Sequence, residues 1–105
     1  MSGKNGDEEI RALALRAFTK PFGAVLELVP ENGNTIWIDG RESPPTVLNN
    51  APKKIPVDCT WRGARESLLR ALEGERAMGS AFVSGRITIS GDMSVMARLQ
   101  IEGAR

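Results

Sequence analysis

The sequence predicts an α+β domain in which helices cover one face of a five-stranded, mainly antiparallel or mixed sheet. Three observations carry this reading. Two segments of alternating apolar residues flank Glu31-Asn32-Gly33-Asn34, where the Asn-Gly pair suits a tight reversal with positive φ angles. Two later strand-like runs, VDCTWRG and RITIS, are each followed by a segment with helical spacing. The 105 residues show no compositional break and match one domain, with 41% hydrophobic residues to supply its core.

Residues 1 to 6 are small and polar and are expected to be loose, so the single domain is placed at 7–105. Asp7 can accept hydrogen bonds at a helix start, and Glu8 and Glu9 favour the positive end of the dipole. Ile10, Leu13, Ala14 and Ala17 then recur at helical spacing until Thr19-Lys20-Pro21. In the first strand of the hairpin Ala24, Leu26 and Leu28 share a face. In the second, Ile36 and Ile38 oppose Thr35, Trp37 and Asp39. Asp39-Gly40 is a turn, and TVL around Val47 is a short third strand kept at an edge by Pro44 and Pro45.

NNAPKKIP is turn-rich and crosses to the fourth strand, where Val57, Cys59 and Trp61 alternate with Asp58, Thr60 and Arg62. After Gly63, ARESLLRALEGE places Leu68, Leu69 and Leu72 on one helix side, with Gly74 as a left-handed stop. AMGSAFVSG adds a short helical turn before the fifth strand, Arg86 to Ser90. Asp92 caps a last helix that carries Met93, Met96 and Leu99 along one side.

Composition removes several function classes. Lys and Arg total 14 against 13 Asp and Glu, a net charge of +1, without the basic excess of a dedicated nucleic-acid binder. Histidine is absent and Cys59 is the single cysteine, which excludes imidazole catalysis, Cys-His nucleophiles and the usual zinc ligand sets. An internal disulfide is equally excluded, and neither a signal peptide nor an apolar span is visible, so a soluble cytoplasmic protein is expected.

The residues that tempt a catalytic or phosphate-binding reading have simpler roles. In GRITISGD the two glycines are separated by a strand and match neither a P-loop nor a dinucleotide fingerprint. Asp39, Asp58 and Asp92 sit at a turn, on the outward face of a strand and at a helix start, where capping and solvation account for them. Cys59 reads as a small buried hydrophobe with no activating base. Lys53-Lys54, Arg62, Arg65, Arg70, Arg76 and Arg86 form either a basic rim or a surface balanced by Glu66, Glu73 and Glu75, and the near-neutral total favours the second. Trp37 and Trp61 suit packing better than ligand stacking. Met93 and Met96 fit either core filling or a surface that adapts to apolar shapes.

From Asp58-Cys59-Thr60, through the leucine-rich helix ending at Gly74, to Ala81-Phe82-x-x-Gly85-x-Ile87-x-Ile89-x-Gly91-Asp92 and the methionine-bearing helix, the order and spacing are distinctive. Over residues 57–100, and more loosely back to the first helix, the chain resembles the sterol carrier protein 2 family of non-specific lipid-transfer proteins. That resemblance implies an apolar tunnel between sheet and helices for fatty acids, fatty acyl-CoA, phospholipids or sterols, without catalysis, metal or cofactor. The tunnel or core positions it implies are Leu26, Leu28, Ile36, Ile38, Cys59, Trp61, Leu72, Phe82, Ile87, Ile89, Met93, Met96 and Leu99. A lipid or fatty acyl ligand is the expected partner, and nucleic acid is not. Transient membrane contact, a homodimer and an enzyme partner stay open, as does an accessory role presenting a lipid-like intermediate such as a quinone precursor to an enzyme. The helix after the fourth strand lacks a side-chain cap residue, and the C-terminal EGAR is not a Ser-Lys-Leu peroxisomal address.

Overall fold

Alternation within each strand assigns its side chains to two faces, and the sheet assembles by burying one of them. A computed structural model describes residues 2–50 and 56–102. Its elements are α1 (Ser2–Ala17), β1 (Val25–Pro30), β2 (Ile36–Asp39), β3 (Thr46–Leu48), β4 (Cys59–Gly63), α2 (Arg65–Ala71), α3 (Glu75–Val83), β5 (Ile87–Gly91) and α4 (Ser94–Arg98). The sheet order is β3-β2-β1-β4-β5. β1 and β4 at its centre run parallel, and every other neighbouring pair is antiparallel. This is the mixed five-stranded α+β sheet the sequence predicts, with the short strand β3 at one edge. The expected crossover of NNAPKKIP, with Lys53 and Lys54, lies largely outside the described residues.

Ala24, Leu26 and Leu28 of the first strand segment, Ile36 and Ile38 of β2, Val47 of β3, Cys59 and Trp61 of β4, and Ile87 of β5 share one buried apolar cluster. Ile10, Ala14 and Ala17 of α1, Leu68 and Ala71 of α2, Ala81 of α3 and Val95 of α4 close over it. The Cα radius of gyration is 12.4 Å, in line with about 13 Å for a compact domain of 100 residues. The other face carries a polar row across the central strands. Trp37 Nε1 donates to Glu27 Oε2 at 3.1 Å, and Thr60 Oγ1 donates to Glu27 Oε1 at 2.9 Å.

Several local features differ from the sequence expectation. The first helix begins at Ser2, ahead of Asp7, so the polar start does not delay it. Asn32 alone takes the left-handed conformation, φ 58°, in the β1–β2 connection. That connection is longer than a two-residue turn because the pairing stops at Leu28↔Ile36, while Val29 and Pro30 continue against β4. Gly74 is not a left-handed stop. At φ 158° and ψ 173° it adopts a mirror-β conformation open to glycine and joins α2 directly to α3. The AMGSAFVSG segment is accordingly a full helix from Glu75 to Val83 rather than a single turn.

The three aspartates do structural work. The Asp58 carboxylate accepts the Val25 N–H at 2.8 Å, its own N–H donates to Val25 O at 2.9 Å, and its carbonyl accepts the Asp92 N–H at 2.7 Å. It therefore ties together the ends of β1, β4 and β5. Asp92 Oδ1 accepts the Ser94 N–H at 2.9 Å and the Ser94 hydroxyl at 2.6 Å, so it holds the first residue of α4 from one position ahead of the N-cap, which is Met93 rather than the Asp92 that the sequence suggests. Asp39 accepts Arg41 Nε at 2.8 Å and Nη2 at 2.7 Å, plus the Arg41 N–H at 3.1 Å. These Arg41 bonds hold the Asp39 carboxyl below the ordinary value of 3.8, against the opposing effect of burial.

Two predictions follow from this end of the sheet. Because the folded-state carboxyl of Asp39 is depressed, its stabilisation is present above the ordinary value and is lost as pH falls through the folded one. Asp39→Asn should lower stability at pH 7 by about 1 kcal/mol, given that Arg41 is partly exposed, and denaturant titrations should show the deficit vanishing in acid. Gly40 accepts the Phe22 and Gly23 N–H groups, and a Cβ placed on it would come within 2.3 Å of the Phe22 ring. Gly40→Ala should therefore destabilise by about 1–3 kcal/mol, measured by thermal unfolding.

Candidate functional site

The most distinctive space beside the core lies where α3, α4 and the chain after α4 meet. Met78 projects from α3, one helical turn beyond Glu75, and Met96 and Ala97 come from α4. Leu99 ends the helical conformation with ψ 141°, so the chain extends and presents Gln100 and Ile101 instead of another helical turn. The Glu102 N–H donates to Ala17 O at 2.7 Å, pinning this extended segment to the end of α1. Together Glu75, Met78, Met96, Ala97, Leu99, Gln100 and Ile101 line an open groove of about 360 Å³.

Trp61 lies behind the groove. Its side chain is fully buried, its Nε1 donates to Met96 Sδ at 3.3 Å, and its ring stands edge-on to Phe18 with centroids 6.3 Å apart. The indole N–H, which would be costly to bury unpaired, is thus held by the thioether that also faces the groove. Met78 and Met96 are partly buried and packed against the core, whereas Leu99 and Ile101 belong to it. The groove is therefore continuous with the apolar interior through side chains that are unbranched and adaptable.

The residues named from the sequence divide into three groups. Met96 and Leu99 line the groove and Trp61 backs it. Leu26, Leu28, Ile36, Ile38, Cys59, Leu72 and Ile87 lie in the packed cluster, with Ile89 partly buried against it. Phe82 and Met93 are 42% and 46% exposed and do not line the groove. Sequence reasoning missed Glu75, Met78, Ala97, Gln100 and Ile101. Met78 carried a usable signal, since it falls one turn from Glu75 and one turn from Ala81 on a helix read as a single turn. Ile101 carried none, because helical periodicity ends before it.

The side chains of this region are mostly apolar, although backbone, Glu75 and Gln100 atoms give its surface a substantial polar share. Burial raises the Cys59 thiol above its ordinary value, and hydrogen bonds from Ser94 lower the Asp92 carboxyl. Among the described residues, Glu75 is the only ionisable one lining the groove. Among the described residues, no group of three or more His, Cys, Asp or Glu is arranged to hold a metal ion. No helix of the described residues is long and apolar enough to cross a membrane. A larger open cavity of about 730 Å³ lies elsewhere, lined by Glu8, Arg11, Gly33, Asn34, Thr35, Trp37 and Asn49. It differs from the groove in side-chain type, with Trp37 as its one large apolar side chain, and Arg11 is engaged there with Val47 O at 3.1 Å.

Comparison with known proteins decides the family. The model of the SCP-2 sterol transfer family matches residues 8–101. The chain belongs to this SCP-2 family. No curated protein matches it in sequence. The SCP-2 fold is shared with solved structures of low sequence identity. The ubiquinone synthesis protein UbiJ-SCP2 is 20% identical, with 84% of this chain and 71% of that one covered at a TM-score of 0.58. Sterol carrier protein 2 from Yarrowia lipolytica, in its apo form, is 18% identical, covering 93% and 79% at 0.56. Sterol carrier protein 2 like 2 from Aedes aegypti is 24% identical, covering 92% of each chain at 0.57.

The contrast between the two tryptophans is directly measurable. In Trp37→Phe, the remaining Trp61 should emit at short wavelength and resist acrylamide quenching, because it is fully buried. In Trp61→Phe, the half-buried Trp37 should emit further to the red and quench readily. Similar emission from the two variants would show that Trp61 is solvated.

Proposed function

We propose that this SCP-2 domain binds a lipid non-catalytically in the groove between α3, α4 and the segment following α4, with Trp61 as its inner wall. The observation that carries this reading is the pair of half-buried methionines, Met78 and Met96, set against the core in a groove that Leu99 also lines. Fatty acids, fatty acyl-CoA esters, phospholipids and sterols are the ligand classes considered. The volume of about 360 Å³ sits at the small end of the usual 300–1,000 Å³ range, so the groove takes part of a long ligand unless the methionines move.

Burial of methylenes supplies the affinity. At about 0.8 kcal/mol per CH₂, ten methylenes contribute on the order of 8 kcal/mol gross, before the entropy of association is subtracted. An apolar wall does not distinguish one methylene from another, so selectivity among chains should be loose. Displacement of the thioether from Trp61 Nε1 is the main local penalty, since it would leave a buried donor without a partner.

A second reading is favoured by the likeness to a ubiquinone synthesis protein. In it the same scaffold supports an enzyme and presents a lipid-like intermediate to it. Isolated protein that holds no lipid but co-purifies with a defined enzyme would support this accessory role over the carrier.

The lipid reading predicts that a fluorescent fatty acid is displaced by unlabelled lipid and that saturating ligand raises the melting temperature by several degrees. Met96→Asp places a carboxylate beside Trp61 and should weaken binding at least tenfold. Met78→Trp, which fills the groove without burying charge, should do the same if Met96→Asp compromises folding. Binding that survives both changes, or no thermal shift at saturation, contradicts the assignment.

A further inference from the structure

Resting on the lipid reading, we infer that Glu75 makes the groove selective for lipids ending in an uncharged hydroxyl and against those ending in a carboxylate or phosphate. The groove is apolar along Met78, Met96, Leu99 and Ile101, and its polar side chains are Glu75 and Gln100. A chain laid over the methionines leaves its polar end to these two groups. The ionised Glu75 carboxylate accepts a hydrogen bond but cannot donate one, and the Gln100 amide does both. A hydroxyl satisfies this pair, giving its hydrogen to Glu75 and accepting from Gln100. An ionised carboxylate or phosphate presents acceptors to an acceptor and adds like-charge repulsion.

Among the described residues, the surrounding positive charges do not reverse this preference. Arg98, the basic residue of α4, is directed toward the Gly23 loop, its Nη1 lying 3.8 Å from where a Cβ on Gly23 would stand. Arg76 follows Glu75 in α3 but does not line the groove. The first turn of α3 has no side-chain cap on its N–H groups, and the partial positive charge there is complemented by Glu75 itself. Glu75 is exposed at the groove's rim, so changing it perturbs the head-group position without disturbing the core.

The test compares decanol with decanoate, which share a chain and differ in the end group, as competitors of Nile red at pH 7 and low ionic strength. The quantity read is the ratio of their affinities in the wild type, Glu75→Gln, Glu75→Lys and Met96→Asp. Removing the charge should lower the decanol-to-decanoate ratio about tenfold, and Glu75→Lys should lower it further, with decanol itself changing less than about threefold. Met96→Asp should weaken both ligands. If both bind the wild type, Met96→Asp weakens both, and the ratio stays within twofold in the two Glu75 variants, selection by Glu75 is overturned while the lipid site stands. If neither ligand binds, or Met96→Asp leaves both unchanged, the groove is not a lipid site and the selection falls with it.

Discussion

The placement of Trp61 at the centre of the buried sheet face constrains most of what surrounds it. It stands on β4, whose parallel pairing with β1 sets the middle of the sheet, and it is the largest of the fully buried side chains. Its cross-strand partners are Leu28 on β1 and Ile89 on β5, and the Phe18 ring stands edge-on to it. Its N–H needs an acceptor, and the nearest one available is a thioether from the last helix. The position of α4, and with it the groove, follows from solving that polar problem in an apolar setting.

How much of this could be read beforehand depends on whether a residue announces its surroundings. Period-two alternation exposed the inward faces of β2, β4 and β5, and of β1 less cleanly, because its second face carries Val25 and Val29 around Glu27. Even the three-residue β3 was visible, since Pro44 and Pro45 confine TVL to an edge. Helix α3 was not, for its two small residues Gly79 and Ser80 lower intrinsic propensity, and its helicity comes from packing Ala81 onto the core.

The site was legible to a smaller degree for a related reason. Met96 and Leu99 were found from spacing, but the helix that carries them is only five residues long, so Met93 precedes it and faces outward. Phe82 was implied as tunnel or core by the family resemblance, yet it comes one residue before the exposed end of α3 and is itself exposed. Glu75 and Gln100 are exposed polar residues, and no periodic pattern distinguishes a rim position from ordinary surface. Their role depends on three-dimensional convergence of α3 with an extended segment that begins where helical periodicity stops.

The size of the domain explains why the groove lies at the margin of the core. An empty internal cavity of 360 Å³ would cost about 9 kcal/mol at roughly 24 cal/mol per Å³, against a total stability of about 5–15 kcal/mol for a domain of this kind. A void of that size, empty, would offset most of the stability of such a domain. Space at the rim carries no comparable penalty, because water fills it. On the proposed lipid reading, methionines at its boundary would let the same surface close against the core when bare and open along an alkyl chain when occupied. A groove at the edge, lined by two thioethers of which one holds the buried Trp61 indole, avoids that cost.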